Sequence, residues 1–267
     1  MTNPHDELHV CQDGDPDAPA LLLIHASAGS THEWDPLVPM LTGSHHLIRV
    51  DLLGHGRSAK PEDGDYAVPA QARRVAATLD RLGVEHAIVA AHSSGGYTAT
   101  SLAEQRPDLV TALALINSGP SMDSVIPQGQ IHITPEQWPR LTDEQLLQLA
   151  SVGFSRAGFE PPLAFLNETR HMTFHSFTTT MRESSAYITE KPVPDRLAAV
   201  GKPLLVIWGA DDRRYRTSHA TAYRDVAGAR LELLPGIGHT PNLEDPRRTA
   251  DLLLDFTAAH SDRTRPR

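Results

Sequence analysis

Short apolar runs alternate with amphipathic segments along most of the chain. Each run has only four or five residues and is rich in Leu, Ile, Val and Ala, which is typical of a buried strand. The runs cover residues 21–24, 47–50, 88–91, 112–116, 204–208 and 231–234. Segments with helical spacing cover residues 34–41, 70–82, 97–105, 218–226 and 247–259. This alternation predicts the α/β class, with a mostly parallel central sheet covered by helices on both faces.

The alternation stops between about residues 121 and 197. Helices are predicted there over residues 134–140, 142–153, 162–175 and 177–185. Five of the six Phe residues fall in this region, and aromatic residues concentrated outside a sheet predict a helical lid with an apolar underside. The alternative is that they form a small core of the lid itself, and we expect both interpretations to be partly true. We expect an α/β core at residues 1–118 and 200–267 and an inserted lid at residues 119–199.

Composition and charge limit the classes of partner. The 267 residues are 40% hydrophobic, enough for one sizeable core and an insertion. A formal charge of −9 with dispersed Lys and Arg argues against a nucleic-acid or membrane partner. The single cysteine, Cys11, excludes an intramolecular disulfide. The sequence has no signal-peptide pattern and no apolar run long enough to span a bilayer, so we expect a cytoplasmic protein. The oligomeric state is left open.

One serine stands at a predicted strand-to-helix turn. The apolar run at residues 88–91 is followed by HSSGG at residues 92–96 and then by the helical segment 97–105. A sharp turn exposes the Ser93 hydroxyl, and the first N–H groups of the next helix point at the same spot. A negative charge developing on a substrate oxygen would be stabilised there. Small residues such as Gly95 are needed where the strand and the helix cross.

A serine hydroxyl becomes a good nucleophile only when a base removes its proton and a third group holds that base. Candidate partners follow two later strands. Asp211 and Asp212 come after the run at 204–208, and His239 lies in a loop after the run at 231–234. In such sheets, ligands bind beyond the carboxyl ends of the strands. These three residues therefore stand where chemistry is expected.

Several short motifs make the chain resemble the α/β-hydrolase superfamily. Residues 91–95 (AHSSG) are similar to its Gly-x-Ser-x-Gly nucleophile elbow, with Ala91 in place of the first glycine. Residues 51–58 (DLLGHGRS) resemble its Asp-x-x-Gly-x-Gly-x-Ser loop. Residues 209–212 (GADD) and 238–241 (GHTP) resemble its Gly-x-x-Asp turn and its Gly-His-x-Pro loop. The candidate residues also occur in the family's order of Ser, acid and His.

The resemblance implies a role for each candidate residue. Ser93 would be the nucleophile, His239 the general base, and Asp212 the acid that holds the base. The backbone N–H groups of Ser94 and Ser27 would form the oxyanion hole.

The resemblance also guides the choice of acid and of the second oxyanion donor. Alignment with the Gly-x-x-Asp turn favours Asp212 over Asp211. Some family members take the acid from an earlier strand, but here that strand, the run at 112–116, is followed by Asn117, which carries no charge. The second donor lies in residues 25–30 (HASAGS), which resemble the family's His-Gly loop with Ala26 in place of the glycine.

Other conspicuous residues are interpreted as structural. His171 and His175 stand four apart on the predicted helix 162–175, a spacing that can bind a metal, but no third ligand completes a site. Glu244 is expected to fix the His239 loop or to begin the last helix. No glycine-rich segment has the lysine and spacing of a phosphate-binding loop. We therefore expect no metal, no nucleotide and no other cofactor.

Together the motifs predict a serine hydrolase that acts through an acyl-enzyme intermediate. The expected partner is a small molecule, namely an ester, lactone or thioester of an apolar, small to medium-sized substrate. One alternative is the same triad used for carbon–carbon bond hydrolysis, a lyase reaction or cyclisation in natural-product biosynthesis. Another is a hydrolase-like ligand sensor in which turnover is slow or absent. Replacement of two family glycines by Ala26 and Ala91 keeps the first alternative open.

Overall fold

The computed structural model describes residues 7–128 and 133–260. Residues 1–6, 129–132 and 261–267, which fall within the predicted core and insertion, lie outside the described residues. The strands are β1 (His9–Asp13), β2 (Ala20–Ile24), β3 (His46–Asp51), β4 (Ala87–His92), β5 (Val110–Ile116), β6 (Leu204–Gly209) and β7 (Arg230–Leu234). They form one sheet in the order β1-β3-β2-β4-β5-β6-β7. β1 pairs antiparallel with β3, and the other neighbouring strands are parallel.

Helices cover both faces of this sheet. They are α1 (Val38–Leu41), α2 (Val68–Arg81), α3 (Gly95–Gln105), α4 (Asp143–Ala150), α5 (Leu163–Glu168), α6 (Phe174–Glu190), α7 (Val193–Val200), α8 (Pro241–Glu244) and α9 (Pro246–Ala258). One buried cluster joins the sheet to α2, α3 and α7. A second cluster joins the opposite face to α1 and α9. β2, β4, β5 and β6 are buried along their whole length, which explains why their sequences are continuous apolar runs. The predicted fold class is confirmed.

The sheet has one strand more than the six apolar runs predict. β1 has the sequence HVCQD and holds Cys11 half-buried at its centre. It lies at the edge of the sheet, where it pairs only with β3. An edge strand that is partly solvated needs no continuous apolar run, so the sequence pattern did not identify it.

Two segments predicted as helices contain 3₁₀ helix. Residues 218–225 belong to the 3₁₀ helix Thr217–Asp225, whose buried residues are Ala220 and Tyr223. These two residues are three apart, and a helix with three residues per turn places them on one face. The predicted helix 34–41 is divided between the 3₁₀ helix Thr31–Trp34 and the short α1.

The segment between β5 and β6 contains α4, α5, α6 and α7. The predicted helix 162–175 is wrong, because the chain is interrupted between α5 and α6. Thr173 starts α6 with a reciprocal cap, in which its hydroxyl accepts the N–H of Ser176 and the Ser176 hydroxyl accepts the N–H of Thr173. As a result, His171 lies in a 3₁₀ turn before the cap and His175 lies in α6.

The aromatic residues of this inserted segment pack largely on one another. The Trp138 ring lies 4.7 Å from the Phe177 ring and 5.9 Å from the Phe174 ring, centroid to centroid. The Phe154 and Phe159 rings are stacked with centroids 5.3 Å apart. These contacts agree with the alternative interpretation of the sequence, in which the aromatic residues form a small core of the insertion.

The start of α3 depends on a close approach between two backbones. A Cβ atom placed on Gly95 would lie 2.4 Å from the carbonyl oxygen of His25, far inside contact distance. We expect Gly95→Ala to lower the free energy of unfolding by about 1–3 kcal/mol, because the backbone must shift to relieve the overlap. Urea unfolding followed by circular dichroism measures this change. Gly43→Ala is the matched control, since a Cβ there has no atom within 4 Å. Equal midpoints for the two variants would contradict the packing described here.

Candidate active site

Ser93 lies in the sharp turn between β4 and α3. Its φ angle is 52°, in the left-handed region that non-glycine residues rarely adopt. Its N–H donates to the carbonyl of Ile116 at the end of β5, over 2.8 Å, and its own carbonyl accepts from the Ser118 hydroxyl. These bonds hold the strained residue in place, so its side chain stands at the carboxyl edge of the sheet.

The structure brings Ser93, His239 and Asp212 together. The Ser93 hydroxyl lies 2.9 Å from Nε2 of His239, and Nδ1 of His239 lies 2.9 Å from Oδ2 of Asp212. An ionised carboxylate can only accept, so Nδ1 carries the imidazole proton and Nε2 is free to accept from the serine. All three side chains are buried.

Asp212 is held by four donors. Its Oδ1 accepts from the N–H groups of Arg214 and Tyr215, and its Oδ2 accepts from His239 and from Nδ2 of Asn117. Burial acts to raise the pKa of this carboxyl, but the charge and the hydrogen bonds around it prevail and hold the pKa below its usual value. Asp211, by contrast, is exposed, so the two adjacent acids differ in burial.

The surroundings of His239 favour its neutral form. Burial lowers its pKa, and the nearby positive charges of His92 and Arg214 act in the same direction. The negative charge of Asp212 opposes them, but the net pKa lies below the usual value for histidine. A neutral imidazole at physiological pH can accept the proton of the serine hydroxyl.

The backbone N–H groups of Ser27 and Ser94 donate to no protein acceptor within the described part of the chain. An oxyanion hole requires such free donors. The hydroxyls of the same two residues lie 2.7 Å apart and bond to each other, which ties the loop after β2 to the start of α3. Ala28, next in the loop, has a φ of 59°, so the chain turns sharply there.

His25 holds the loop after β2 through hydrogen bonds of its ring. Its Nε2 accepts from the N–H of Leu52, so Nδ1 carries the proton and donates to the carbonyl of Ala26, over 2.7 Å. The N–H of Ala26 in turn donates to Oε2 of Glu33 over 3.0 Å. Ala26 is thus held at both its carbonyl and its N–H.

Sequence reasoning missed a second buried pair, formed by Glu33 and His92. Nδ1 of His92 bonds to Oε1 of Glu33, and Nε2 of His92 donates to the carbonyl of His239 over 2.7 Å. Because both of these partners can only accept, both ring nitrogens must donate, and His92 is an imidazolium. Burial lowers the pKa of His92, but the Glu33 carboxylate outweighs it and raises the pKa.

The His239 loop is shaped by a further buried carboxylate. Glu244 accepts from the N–H groups of Gly238 and Thr240, and also from Ser155 and Arg156 of the inserted segment. The expectation that Glu244 fixes the His239 loop is confirmed.

Two tyrosines lie beside the candidate triad. The ring of Tyr215 lies 5.4 Å from the ring of His239, centroid to centroid. Its hydroxyl lies 3.0 Å from the hydroxyl of Tyr97 in α3. Burial raises the pKa of Tyr215 and raises that of Tyr97 further, so both phenols stay protonated and can donate.

The residues that the sequence raised as metal candidates are not assembled. His171 contacts Glu168, whereas His175 packs edge-on against the ring of Tyr66. Over residues 7–128 and 133–260, no group of three or more His, Cys, Asp or Glu side chains is placed to hold a metal ion. Over the same residues, no helix is both long and apolar enough to cross a bilayer.

The profile of the alpha/beta hydrolase fold family matches residues 19–246. The chain therefore belongs to the alpha/beta hydrolase family of enzymes, and the resemblance stated from its motifs is confirmed.

Similar proteins include members with and without a stated activity. An uncharacterized protein of Mycobacterium tuberculosis is 29% identical over 89% of this chain and 75% of its own length. Lipase 1 of Psychrobacter immobilis is 28% identical over 92% of this chain and 79% of its own length. The crystal structure of a hydrolase from Pseudomonas aeruginosa PA01 superposes with a TM-score of 0.74 at 27% identity, and covers 93% of each chain.

The Glu33–His92 pair generates a prediction about pH. The His92 imidazolium ring lies 5.1 Å from the ring of His239 and disfavours a second positive charge there. We expect His92→Asn to raise the pKa of His239, because the repulsion is lost while the Glu33 carboxylate remains. The acid limb of the profile of kcat/KM against pH should therefore move to higher pH.

A control variant and a double variant are measured alongside His92→Asn. His86→Asn, just before the opposite end of β4, is the control and should leave the profile unchanged. Removing one partner of a buried pair can cost about 3–5 kcal/mol of stability. For that reason, the double variant Glu33→Gln/His92→Asn is measured as well, and we expect the same direction of shift. A profile that stays in place in both variants contradicts the electrostatic influence of His92.

Proposed function

We propose that the chain is a serine hydrolase in which Ser93 is the nucleophile, His239 the general base and Asp212 the orienting acid. The observation that carries the proposal is the continuous chain of hydrogen bonds from Ser93 through His239 to Asp212, with both distances at 2.9 Å. The substrate class is a carboxylic ester, a lactone or a thioester, and the partner is a small molecule.

In the first step, the Ser93 hydroxyl attacks the carbonyl carbon of the substrate. Its proton passes to Nε2 of His239, and the negative charge of Asp212 stabilises the imidazolium that forms. The carbonyl oxygen becomes an oxyanion and accepts hydrogen bonds from the N–H groups of Ser27 and Ser94. Because these donors are already fixed by the bond between the two serine hydroxyls, little reorganisation is needed during the reaction.

In the second step, the tetrahedral intermediate collapses and the bond to the leaving group breaks. His239 gives its proton to the departing alcohol or thiol, which leaves an acyl group on Ser93. Water then attacks the acyl-enzyme while His239 removes a proton from it, and the acid is released as Ser93 regains its proton. No step requires a redox change, and His239 is neutral again at the end.

The inserted segment, residues 119–199, is proposed as the lid over this site. Part of it contacts the triad directly, because the N–H of His239 donates to the carbonyl of Gly153. The adjacent Phe154 lines a groove of about 660 Å³ together with Leu147, Leu163 and Leu166, and the acidic residues Asp143, Glu144 and Glu160 also border it. A groove of this size fits an apolar chain of a small to medium-sized substrate. The similarity to Lipase 1 over most of both chains supports the same substrate class.

The first test is labelling with a fluorophosphonate, followed by mass spectrometry, together with a panel of nitrophenyl esters of increasing chain length. We expect one adduct, on Ser93, and turnover that peaks at one chain length. Ser93→Ala should take up no label and should lower kcat by about 10⁶-fold while the fold is kept. An adduct on Ser93 without ester turnover would favour the lyase, cyclase or sensor alternatives. A protein that takes up no label on Ser93 would overturn the catalytic assignment.

The choice of acid has its own test. Asp212→Asn should lower kcat by about 10⁴-fold, because the neutral amide favours the wrong tautomer of His239. Asp211→Asn, the matched control one residue away, should lower kcat by less than about tenfold, since its side chain is exposed. Steady-state kinetics on the best ester of the panel measures both. The reverse order would show that the wrong acid has been chosen.

A further inference from the structure

A small cavity of about 20 Å³ lies beside the two oxyanion donors. It is bounded by Ser27 of the loop after β2, by Ser94 and Thr98 at the start of α3, and by Thr180 and Ser184 of α6. A single water-sized group needs about 10–15 Å³ measured in this way. The cavity therefore has room for one small group next to the place where the substrate oxygen would be held.

Two of the hydroxyls that line this cavity lack a partner. Within the described part of the chain, Thr98 and Ser184 make no side-chain hydrogen bond, although Thr98 is only 2% exposed. Two other threonines nearby, by contrast, do have partners. The Thr100 hydroxyl donates to the carbonyl of Gly96, and the Thr180 hydroxyl donates to the carbonyl of Ser176. Among the described residues, the fully enclosed side-chain atoms without a partner are Nε1 of Trp34 and Oδ1 of Asn242, so the Thr98 oxygen borders open space instead. The Thr98 hydroxyl is thus placed to bond with a group inside the cavity.

The residues that line the cavity also disfavour a charged group inside it. No Lys, Arg, Asp or Glu lines the cavity. Burial, and then the proximity of His25, hold the pKa of the lining His55 well below its usual value, so His55 is neutral. A carboxylate or an ammonium group would be buried there without an opposite charge, which is strongly unfavourable. A methyl group would leave the hydroxyls unpaired. A neutral group that both donates and accepts hydrogen bonds fits best.

We propose that this cavity is a subsite for a hydroxyl group on the acyl part of the substrate, close to the carbonyl carbon. The inference rests on the proposed serine hydrolase function and names its substrate class as hydroxyacyl esters, lactones or thioesters. Thr98 follows Ser94 by four residues, so the two lie on the same face of α3, one turn apart. A hydroxyl near the acyl carbonyl can therefore reach Thr98 while the carbonyl oxygen is held at the N–H of Ser94.

The assignment to the acyl side follows from the position of the base. The leaving group must lie within reach of His239, which gives it a proton. None of the residues that line the cavity belongs to the His239 loop at residues 236–241. The cavity thus lies on the oxyanion side of the site, where the acyl group remains after the leaving group has departed.

The test measures kcat/KM for nitrophenyl hexanoate and for each enantiomer of nitrophenyl β-hydroxyhexanoate. The readout is the kcat/KM of each hydroxy ester divided by that of the hexanoate. For the unaltered protein, we expect one enantiomer to be favoured by roughly tenfold, as for one good neutral hydrogen bond. Thr98→Val, which replaces the hydroxyl by a methyl group of similar size, should bring the ratio close to one, and Ser184→Ala should lower it. Thr100→Val is the matched control on α3 and should keep the ratio of the unaltered protein.

The outcomes separate this inference from the function on which it rests. If Ser93 is labelled by the fluorophosphonate and all three esters are cleaved at equal rates, the hydroxyl subsite is wrong while the hydrolase stands. A preference that Thr98→Val leaves intact also overturns the subsite, because the hydroxyl would then bind elsewhere. Absence of both labelling and turnover overturns the proposed function, and the subsite with it.

Discussion

The carboxylate of Glu33 is the point at which the segments of the site are tied together. It accepts hydrogen bonds from Ala26 in the loop after β2, from His92 at the end of β4 and from Asn242 in α8. Through His92 it also reaches the carbonyl of His239. A buried ion pair is weak evidence for net stability, because the desolvation of both charges opposes their attraction. Its consequence here is geometric, since four separate segments acquire fixed positions relative to one carboxylate.

The hydrogen-bond partners of two neighbouring histidines explain why they take opposite protonation states. His92 faces a carboxylate and a backbone carbonyl, which can only accept, so both of its nitrogens donate and the ring is charged. His239 faces one carboxylate, Asp212, and the hydroxyl of Ser93, which can donate to its free nitrogen. In the proposed reaction, the ring that accepts a proton is therefore the neutral one. The charged ring beside it reinforces that state by repulsion.

Local patterns predicted the parts of the structure that depend on neighbouring residues. The buried strands, the turn at Ser93 and the positions of Asp212 and His239 each follow from a few consecutive residues and from the rule that parallel strands end at one edge. Glu33 and Asn117 could not be assigned in this way, because their partners are 59 and 95 residues distant in the sequence. The positions of two residues in the sequence did indicate a role near the site. His92 directly precedes the candidate nucleophile, and Asn117 directly follows β5, the strand that neighbours β6. The edge strand β1 and the break at Thr173 were missed because polar edge pairing and capping leave little trace in hydrophobic periodicity.

The residues that define the fold and the proposed chemistry differ from those that select a substrate. Family motifs specify glycines, the serine, the acid and the histidine, and they leave other positions free. Ser27 and Ser94 occupy two of these free positions, yet their side chains bond to each other and both residues border the small cavity at the start of α3. Thr98 and Ser184 complete it from two helices that are far apart in the sequence. Under the proposed function, substrate preference therefore depends on how α6 packs against α3, which no short motif records.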